Sequence, residues 1–232
     1  KEQGRTVKML EKIKGRELIG KHAIAPGIYR EIIILPSRFV DPNVGTGIVT
    51  SVPSDAPYDY VALREIQDNK NLNKEYGFSV DKIEEIEEIE IIPIIKTEKY
   101  GDKAAVNLVE KAGIIKQDDS RLDELTQDVY KEGYYKGIML NTCGKYSGMR
   151  VAETKEKMKQ ELIKNGEADL FYELTGEVIS RSMTKCIVKI VSDQWFINYG
   201  DKRWKKETHK ALNNLKIYPE LAREQFANTI DW

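Results

Sequence analysis

Cysteine and histidine are both scarce: Cys143, Cys186, His22 and His209 are the whole supply in 232 residues. A zinc centre of four protein ligands would need all four, and their spacing matches no recognised pattern. The two cysteines therefore read as free thiols of a reducing cytosol, and no metal-ligating residue is assigned. No apolar run approaches the ~18 residues of a membrane span. No secretory signal is recognised in the first residues, and the chain shows neither an internal repeat nor a low-complexity linker. An excess of one charge is missing too. With 37 Lys and Arg against 38 Asp and Glu, the net charge is −1, unlike a broadly basic nucleic-acid-binding chain.

What is present is enough for one large domain or two small ones, with 41% hydrophobic and 32% charged residues. Val7, Leu10 and Ile13 stand at helical spacing in the polar opening from Lys1 to Lys14. Ile32–Leu35 is a short apolar run stopped by Pro36 and reads as a strand. Helices are expected from Asp59 to Asn71, from Lys103 to Ala112, from Leu122 to Glu132 and from Val151 to Asn165, the last three closed by Gly113, Gly133 and Gly166. Ile83, Ile86 and Ile89 recur at helical spacing among glutamates, whereas Ile91–Ile95 reads as extended, with Pro93 excluding a fully paired central strand. The acidic block reads as a solvated face, because carboxylates interleaved with isoleucines do not converge on one ion. Cys186–Val191 reads as a buried strand, Lys202–Leu215 as a helix, and Pro219 opens a last helical piece to Trp232. The run Lys202-Arg203-Trp204-Lys205-Lys206 reads as a solvated helix face. His22 reads as a surface or strand-edge histidine.

The densest signal lies between Gly45 and Tyr60. Ile48–Val52 is β-branched except at Ser51 and reads, from Gly45, as a strand. Pro53 lacks an N–H and ends it, and an acidic turn leads into the next helix. Asp55 and Asp59 then stand near the mouth of that turn. Two readings are open: an N-cap and a first-turn acid facing the helix dipole, or carboxylates that hold an amine beside an apolar wall.

The stretch Gly45-Thr46-Gly47-Ile48-Val49-Thr50-Ser51-Val52-Pro53-Ser54-Asp55-Ala56-Pro57-Tyr58-Asp59-Tyr60 resembles the editing-pocket segment of leucyl-tRNA synthetases of the archaeal and eukaryotic type, which are class I enzymes. Gly15–Lys21 and Phe39–Pro42 resemble the text leading to that pocket, and Lys131–Met139 resembles an insertion of the same branch. Ser180-Arg181-Ser182 and Val191-Ser192-Asp193-Gln194-Trp195-Phe196 resemble the return to the catalytic core. The resemblance implies an α/β fold: a β-barrel-like mixed sheet with surrounding helices over residues 1–180, and a short strand–helix piece of the catalytic core over residues 181–232. That second piece is expected to pack separately or loosely, leaving Trp195, Phe196 and Trp204 without apolar partners.

The activity implied is that of a leucine–tRNA ligase, an ATP-dependent enzyme of protein biosynthesis, whose insertion hydrolyses mischarged tRNA. A hydrophobic pocket discriminates one methylene only about 10–200-fold, so a second, hydrolytic site is needed. Asp59 matches the family's anchor for the substrate α-ammonium. Thr50 and Val52 match positions lining the amino-acid pocket, and Asp55 is a further candidate contact. The family mechanism implies positioned water and the tRNA's ribose hydroxyl in place of a protein nucleophile. The partners implied are tRNA(Leu) and a mischarged amino-acid ester, with no membrane and a monomeric, cytoplasmic state. No cofactor is expected for this stretch; ATP and Mg belong to the full-length parent. The family's threonine-rich editing segment and its His-Ile-Gly-His and Lys-Met-Ser-Lys-Ser motifs are not found, so the chain reads as an internal fragment inactive in aminoacylation. The alternative is a non-catalytic module that keeps the editing fold and binds tRNA or a protein.

Overall fold

The computed structural model describes residues 3–174 and 176–232; Lys1 and Glu2, part of the opening with expected helical spacing, lie outside the described residues. The chain divides into two compact units, residues 5–188 and residues 189–232 with residues 3–4.

The larger unit is built on helices. α1 (Pro57–Asp68) starts where the sequence allows it to: Pro57 fills the first helical position, where its missing N–H costs nothing, and Asp59 faces the dipole in the first turn. Asn69 ends α1 and caps α2 (Lys70–Glu75), its side chain accepting from the N–H groups of Asn71 and Leu72. α3 (Val80–Glu87) turns Ile86 fully inward. α4 (Ala104–Ala112) stops at Gly113, whose φ of 65° suits a residue without Cβ. α5 (Arg121–Lys136) and α6 (Val151–Lys164) follow. α6 closes with both bonds of a Schellman motif: Gly166 N–H to Ile163 O at 3.0 Å and Glu167 N–H to Leu162 O at 2.9 Å.

The core sits where α1, α4 and α5 meet. Tyr60, Val61, Ala105, Val109, Ile114 and Leu122 form one buried cluster, flanked by Tyr58, Ile91, Val106, Ala112 and Leu125. A partly buried network ties the preceding strap to this core. Arg38 forks onto Glu65 of α1 at 2.8 and 3.0 Å. Gln117 donates to Glu65 at 2.5 Å and accepts from the Arg38 N–H at 2.9 Å and from the Ser37 hydroxyl at 3.1 Å.

Sheet is sparse among the described residues. β1 (His22–Ile24) pairs antiparallel with β2 (Glu31–Ile33), with His22 opposite Ile33. β3 (Ile95–Lys96) pairs antiparallel with β4 (Ile138–Met139), with Ile95 opposite Met139. Between α5 and β4, Gly137 is forced by space. A Cβ there would lie 2.2 Å from the Gly133 carbonyl oxygen, 2.7 Å from Ile95 and 2.9 Å from Val151.

Several expectations need correction. The mixed α/β character holds, but the two sheets have two strands each and no barrel forms among the described residues. Ile32–Leu35 enters a hairpin, with pairing extended by Ile34 N–H to Lys21 O. Gly45–Val52 joins no ladder. Its polar groups are taken by turns and side chains: Gly45 N–H by the Glu173 carboxylate at 3.0 Å, Gly47 N–H by Val44 O, the Ile48 carbonyl by the Thr46 hydroxyl, and Val52 N–H by Asp59. Ile48 and Val49 remain exposed. β-Branched side chains favour a pleated surface only where a partner edge supplies it. For the same reason Cys186–Val191 is neither a strand nor buried, with Ile187, Ile190 and Val191 exposed. The described part of the opening is not helical, and Val7, Leu10 and Ile13 are exposed there, so spacing without a surface to bury against makes no helix. α5 runs through Gly133 to Lys136, because a buried glycine inside a packed helix loses only its propensity penalty of about 1 kcal/mol.

In the smaller unit, α7 (Lys202–Asn214) is capped by Asp201, which accepts the Trp204 N–H at 2.8 Å, and packs against α8 (Leu221–Asp231). Arg223 donates to the Leu212 and Leu215 carbonyls at 2.7 and 2.8 Å, and Leu212 is buried. Trp195 and Phe196 are 99% and 80% exposed, whereas Trp204 meets Tyr199 edge to face at 5.8 Å between centroids.

Candidate functional site

The turn from Val52 to Ala56 organises the candidate site. The Val52 carbonyl accepts two N–H groups, from Asp55 at 3.1 Å and from Ala56 at 2.9 Å. The Val52 N–H donates to Asp59 Oδ2 at 2.6 Å. Ala105 N–H, at the start of α4, fastens the turn through the Ser54 carbonyl at 3.0 Å. The backbone of Val52 is thus fully used, and the turn is held both from its own helix and from the core.

The two carboxylates differ in surroundings. Asp59 is half-buried on the first turn of α1. Burial raises its pKa, and the Val52 amide works against that rise. The second oxygen, Oδ1, receives no hydrogen bond among the described residues. Asp55 is only 8% exposed. Its carboxylate accepts the Ser54 hydroxyl at 2.5 Å and faces the backbone N–H groups of Ile94 and Ile95, which favour its charged form. Burial nevertheless pushes its pKa up to about 6, with the charge of Asp102 adding to the rise.

Thr50 is exposed and Val52 half-buried, both on the extended run that enters the turn. The structure therefore brings Val52, Asp55 and Asp59 together in one hydrogen-bonded turn, with Thr50 next to it along the chain.

Two neighbours were not legible in the sequence. Cys143 is half-buried, and its thiol donates to the Ile94 carbonyl at 3.4 Å, next to the amide that meets Asp55. Burial raises this thiol, and the Asp55 charge raises it further. Tyr130 on α5 feels the Asp59 charge, which adds to the rise that desolvation imposes on its phenol. No motif marks either residue; each arrives through the packing of a distant segment.

Other candidates are engaged elsewhere. His22 lies on β1, with Nε2 at 2.5 Å from Glu85 of α3, which also pairs with Lys82 at 2.7 Å. The basic run on α7 is largely exposed, and Lys205 donates to the Asp231 carbonyl at 2.8 Å. No helix among the described residues is long and apolar enough to cross a membrane.

No protein-family model matches the chain. Individual proteins do match. The chain is 41% identical over its full length to the leucine–tRNA ligase of Methanococcus aeolicus, covering 23% of that protein. It is 42% identical over 99% of its length to that of Pyrococcus abyssi, covering 24%. The chain thus spans about a quarter of the length of the curated relatives it matches. Among solved structures, GlLeuRS-CP1 aligns with a TM-score of 0.62 and 33% identity over 72% of this chain and 63% of that one. The P. falciparum cytosolic leucyl-tRNA synthetase editing domain aligns with a TM-score of 0.61 and 27% identity, over 69% and 50% of the respective chains.

Proposed function

Because the chain belongs to the leucine–tRNA ligase family, as a stretch about a quarter as long as its relatives, we propose that it carries the proofreading part of that activity: hydrolysis of mischarged aminoacyl-tRNA(Leu). One observation carries the reading. Asp59 is clamped by the Val52 amide through Oδ2, with Oδ1 left without a donor. A partly desolvated carboxylate with one oxygen fixed and the other available is suited to a charge-assisted bond from an α-ammonium.

Val52 and Thr50 form the wall beside this anchor and receive the amino-acid side chain. Water attacks the ester carbonyl; the C–O bond to the ribose breaks, and amino acid and the 3′-terminal hydroxyl leave. The tRNA's own ribose hydroxyl helps position that water, so no protein nucleophile and no cofactor take part. ATP and Mg serve the parent enzyme's aminoacylation site. Asp55 acts from behind: buried under the turn, it fixes Val52 and thereby the distance between wall and anchor. This proposal makes tRNA(Leu) the partner and a monomer in the cytoplasm the working state.

The test is deacylation of norvalyl- or isoleucyl-tRNA by a parent enzyme carrying Asp59→Asn. The amide can still accept the Val52 N–H and keep the turn, but it brings no charge. Loss of a charge-assisted bond worth about 1.5–3 kcal/mol predicts a slowing of roughly ten- to hundredfold, with melting temperature unchanged. A well-folded Asn variant that deacylates at the original rate removes Asp59 from the site.

A further inference from the structure

The C-terminal half of α5 carries aromatic rings that the fold does not use. Tyr130, Tyr134 and Tyr135 are 55%, 42% and 67% exposed, and none belongs to the core cluster. Their hydroxyls hold no hydrogen bond to protein among the described residues. Tyr134 and Tyr135 meet edge to face, with centroids 5.2 Å apart, and the Lys155 ammonium of α6 stands 5.8 Å from the Tyr134 centroid.

Beside the rings runs a groove of about 420 Å³, lined by Lys99, Asp128, Lys131, Glu132, Tyr135 and Lys136. Its two carboxylates are already paired, Asp128 with Lys99 at 3.0 Å and Glu132 with Lys136 at 3.1 Å. Lys131 has no ion pair of its own among the described residues, so the groove's surplus charge is positive. α5 packs on α1, the helix whose first turn carries Asp59, so the aromatic face and the anchor carboxylate stand on neighbouring helices.

Exposed π-faces interleaved with ammonium groups form a platform for unpaired nucleotides, since every base has a face to stack and every step a phosphate to neutralise. We propose that the face formed by Tyr130, Tyr134 and Tyr135, with Lys131 and Lys155, binds the unpaired 3′-terminal nucleotides of the RNA whose ester lies at Asp59. This rests on the proofreading reading and gives it a substrate-holding surface. The rings stack bases, and Lys131 meets the backbone. An acidic protein segment would satisfy Lys131 but would leave the three aromatic faces without a purpose, so a single-stranded RNA end is the better complement.

The probe is a fluorescein-labelled single-stranded oligoribonucleotide with the sequence of a tRNA 3′ end and no amino acid attached, titrated by anisotropy into the full 232-residue chain. Tyr134→Ala and Tyr135→Ala should each weaken binding by roughly five- to hundredfold, the range for loss of one stacked base. The corresponding Phe variants should bind as the parent does, which separates stacking from altered folding. Lys131→Ala should reduce the slope of log K against log salt by about 0.7, one single-strand phosphate contact. Absence of oligonucleotide binding, equal binding by the Ala variants, or displacement of the RNA by an acidic peptide that shows the same tyrosine dependence would overturn the proposal. Because the probe carries no ester, tyrosine-dependent binding without any deacylation activity would sink the proofreading reading alone. Deacylation with unchanged KM in both Ala variants would sink the platform alone.

Discussion

Asp55→Asn is the most discriminating perturbation of the candidate site, because the expected effect has a sign as well as a size. Burial pushes the Asp55 carboxyl from 3.8 to about 6 in the folded chain. The folded state therefore holds this proton more tightly than the unfolded chain does, and the group's contribution to stability is greatest below the unfolded pKa near 4. As pH rises through about 6 the native carboxyl must ionise in place, and that contribution is lost. The rise spans roughly two pH units, and at about 1.36 kcal/mol per unit the full effect is about 3 kcal/mol. An Asn at this position does not titrate. It still offers one acceptor oxygen to the amides of Ile94 and Ile95, where the carboxylate offers two. With an NH2 donor where the carboxyl group has its second oxygen, it should cost about 1–3 kcal/mol at every pH.

The two effects oppose each other above pH 7 and separate below pH 5. The Asn variant should therefore be clearly less stable than the parent chain at pH 4 and close to it at pH 7.5. Other carboxylates titrate in both proteins and cancel in the difference. Urea unfolding at pH 4, 5.5 and 7.5 gives the comparison directly, with a change in the stability difference of about 2 kcal/mol or more across the range. Stability differences that stay constant with pH would mean that Asp55 titrates like a solvated carboxylate, and the picture of a buried hub would fail.

Three further outcomes are expected. Gly137→Ala places a methyl 2.2 Å from the Gly133 carbonyl oxygen and 2.7 Å from Ile95, and should destabilise by about 1–3 kcal/mol or more in urea unfolding; a neutral effect would mean that the α5–β4 junction is looser than described. Glu65→Ala removes the acceptor shared by Arg38 and Gln117, and should cost about 1–3 kcal/mol by denaturant midpoint, through the stranded Gln117 amide more than through the exposed Arg38. The 232-residue chain should show no leucine-dependent ATP–pyrophosphate exchange, since Gly45-Thr46-Gly47 is too short for a phosphate cradle and no Lys follows it; measurable exchange would refute this.

The helices were legible because their signals are local. Apolar spacing, Pro57 at the first position and the glycines after α4 and α6 all act within a turn or two. Gly133 shows the limit of that logic: the same residue type that ends α4 lies inside α5, and the stop falls at Gly137, where Ile95 and Val151 leave no room for a Cβ. Strands fared worse because a strand is a relation between segments. Gly45–Val52 has strand composition but finds its hydrogen bonds in turns and side chains, among them the Glu173 and Asp59 carboxylates, and not along a partner strand. At the candidate site, the turn and Asp59 could be read from the chain. The depth of Asp55 could not, because it is set by the backbone of Ile94 and Ile95, which the sequence places far from the turn.

The two carboxylates of the turn divide the work in a way that composition alone conceals. Asp55 meets donors from two directions, the adjacent Ser54 hydroxyl and the distant amides of Ile94 and Ile95, so it joins the turn to the β3 segment. Asp59 meets the Val52 amide from within its own helix start. Between them the backbone of Val52 is held at both ends, its carbonyl by the Asp55 and Ala56 amides and its N–H by Asp59. A ligand bound at the outer oxygen of Asp59 would therefore find the Val52 side chain at a fixed offset, without ordering a loop first. Binding energy otherwise spent on that ordering remains available for discrimination. The half-burial of Asp59 fits the same logic: a solvated carboxylate would hold an ammonium weakly, and a fully buried one would tend to take up a proton in place of the ligand.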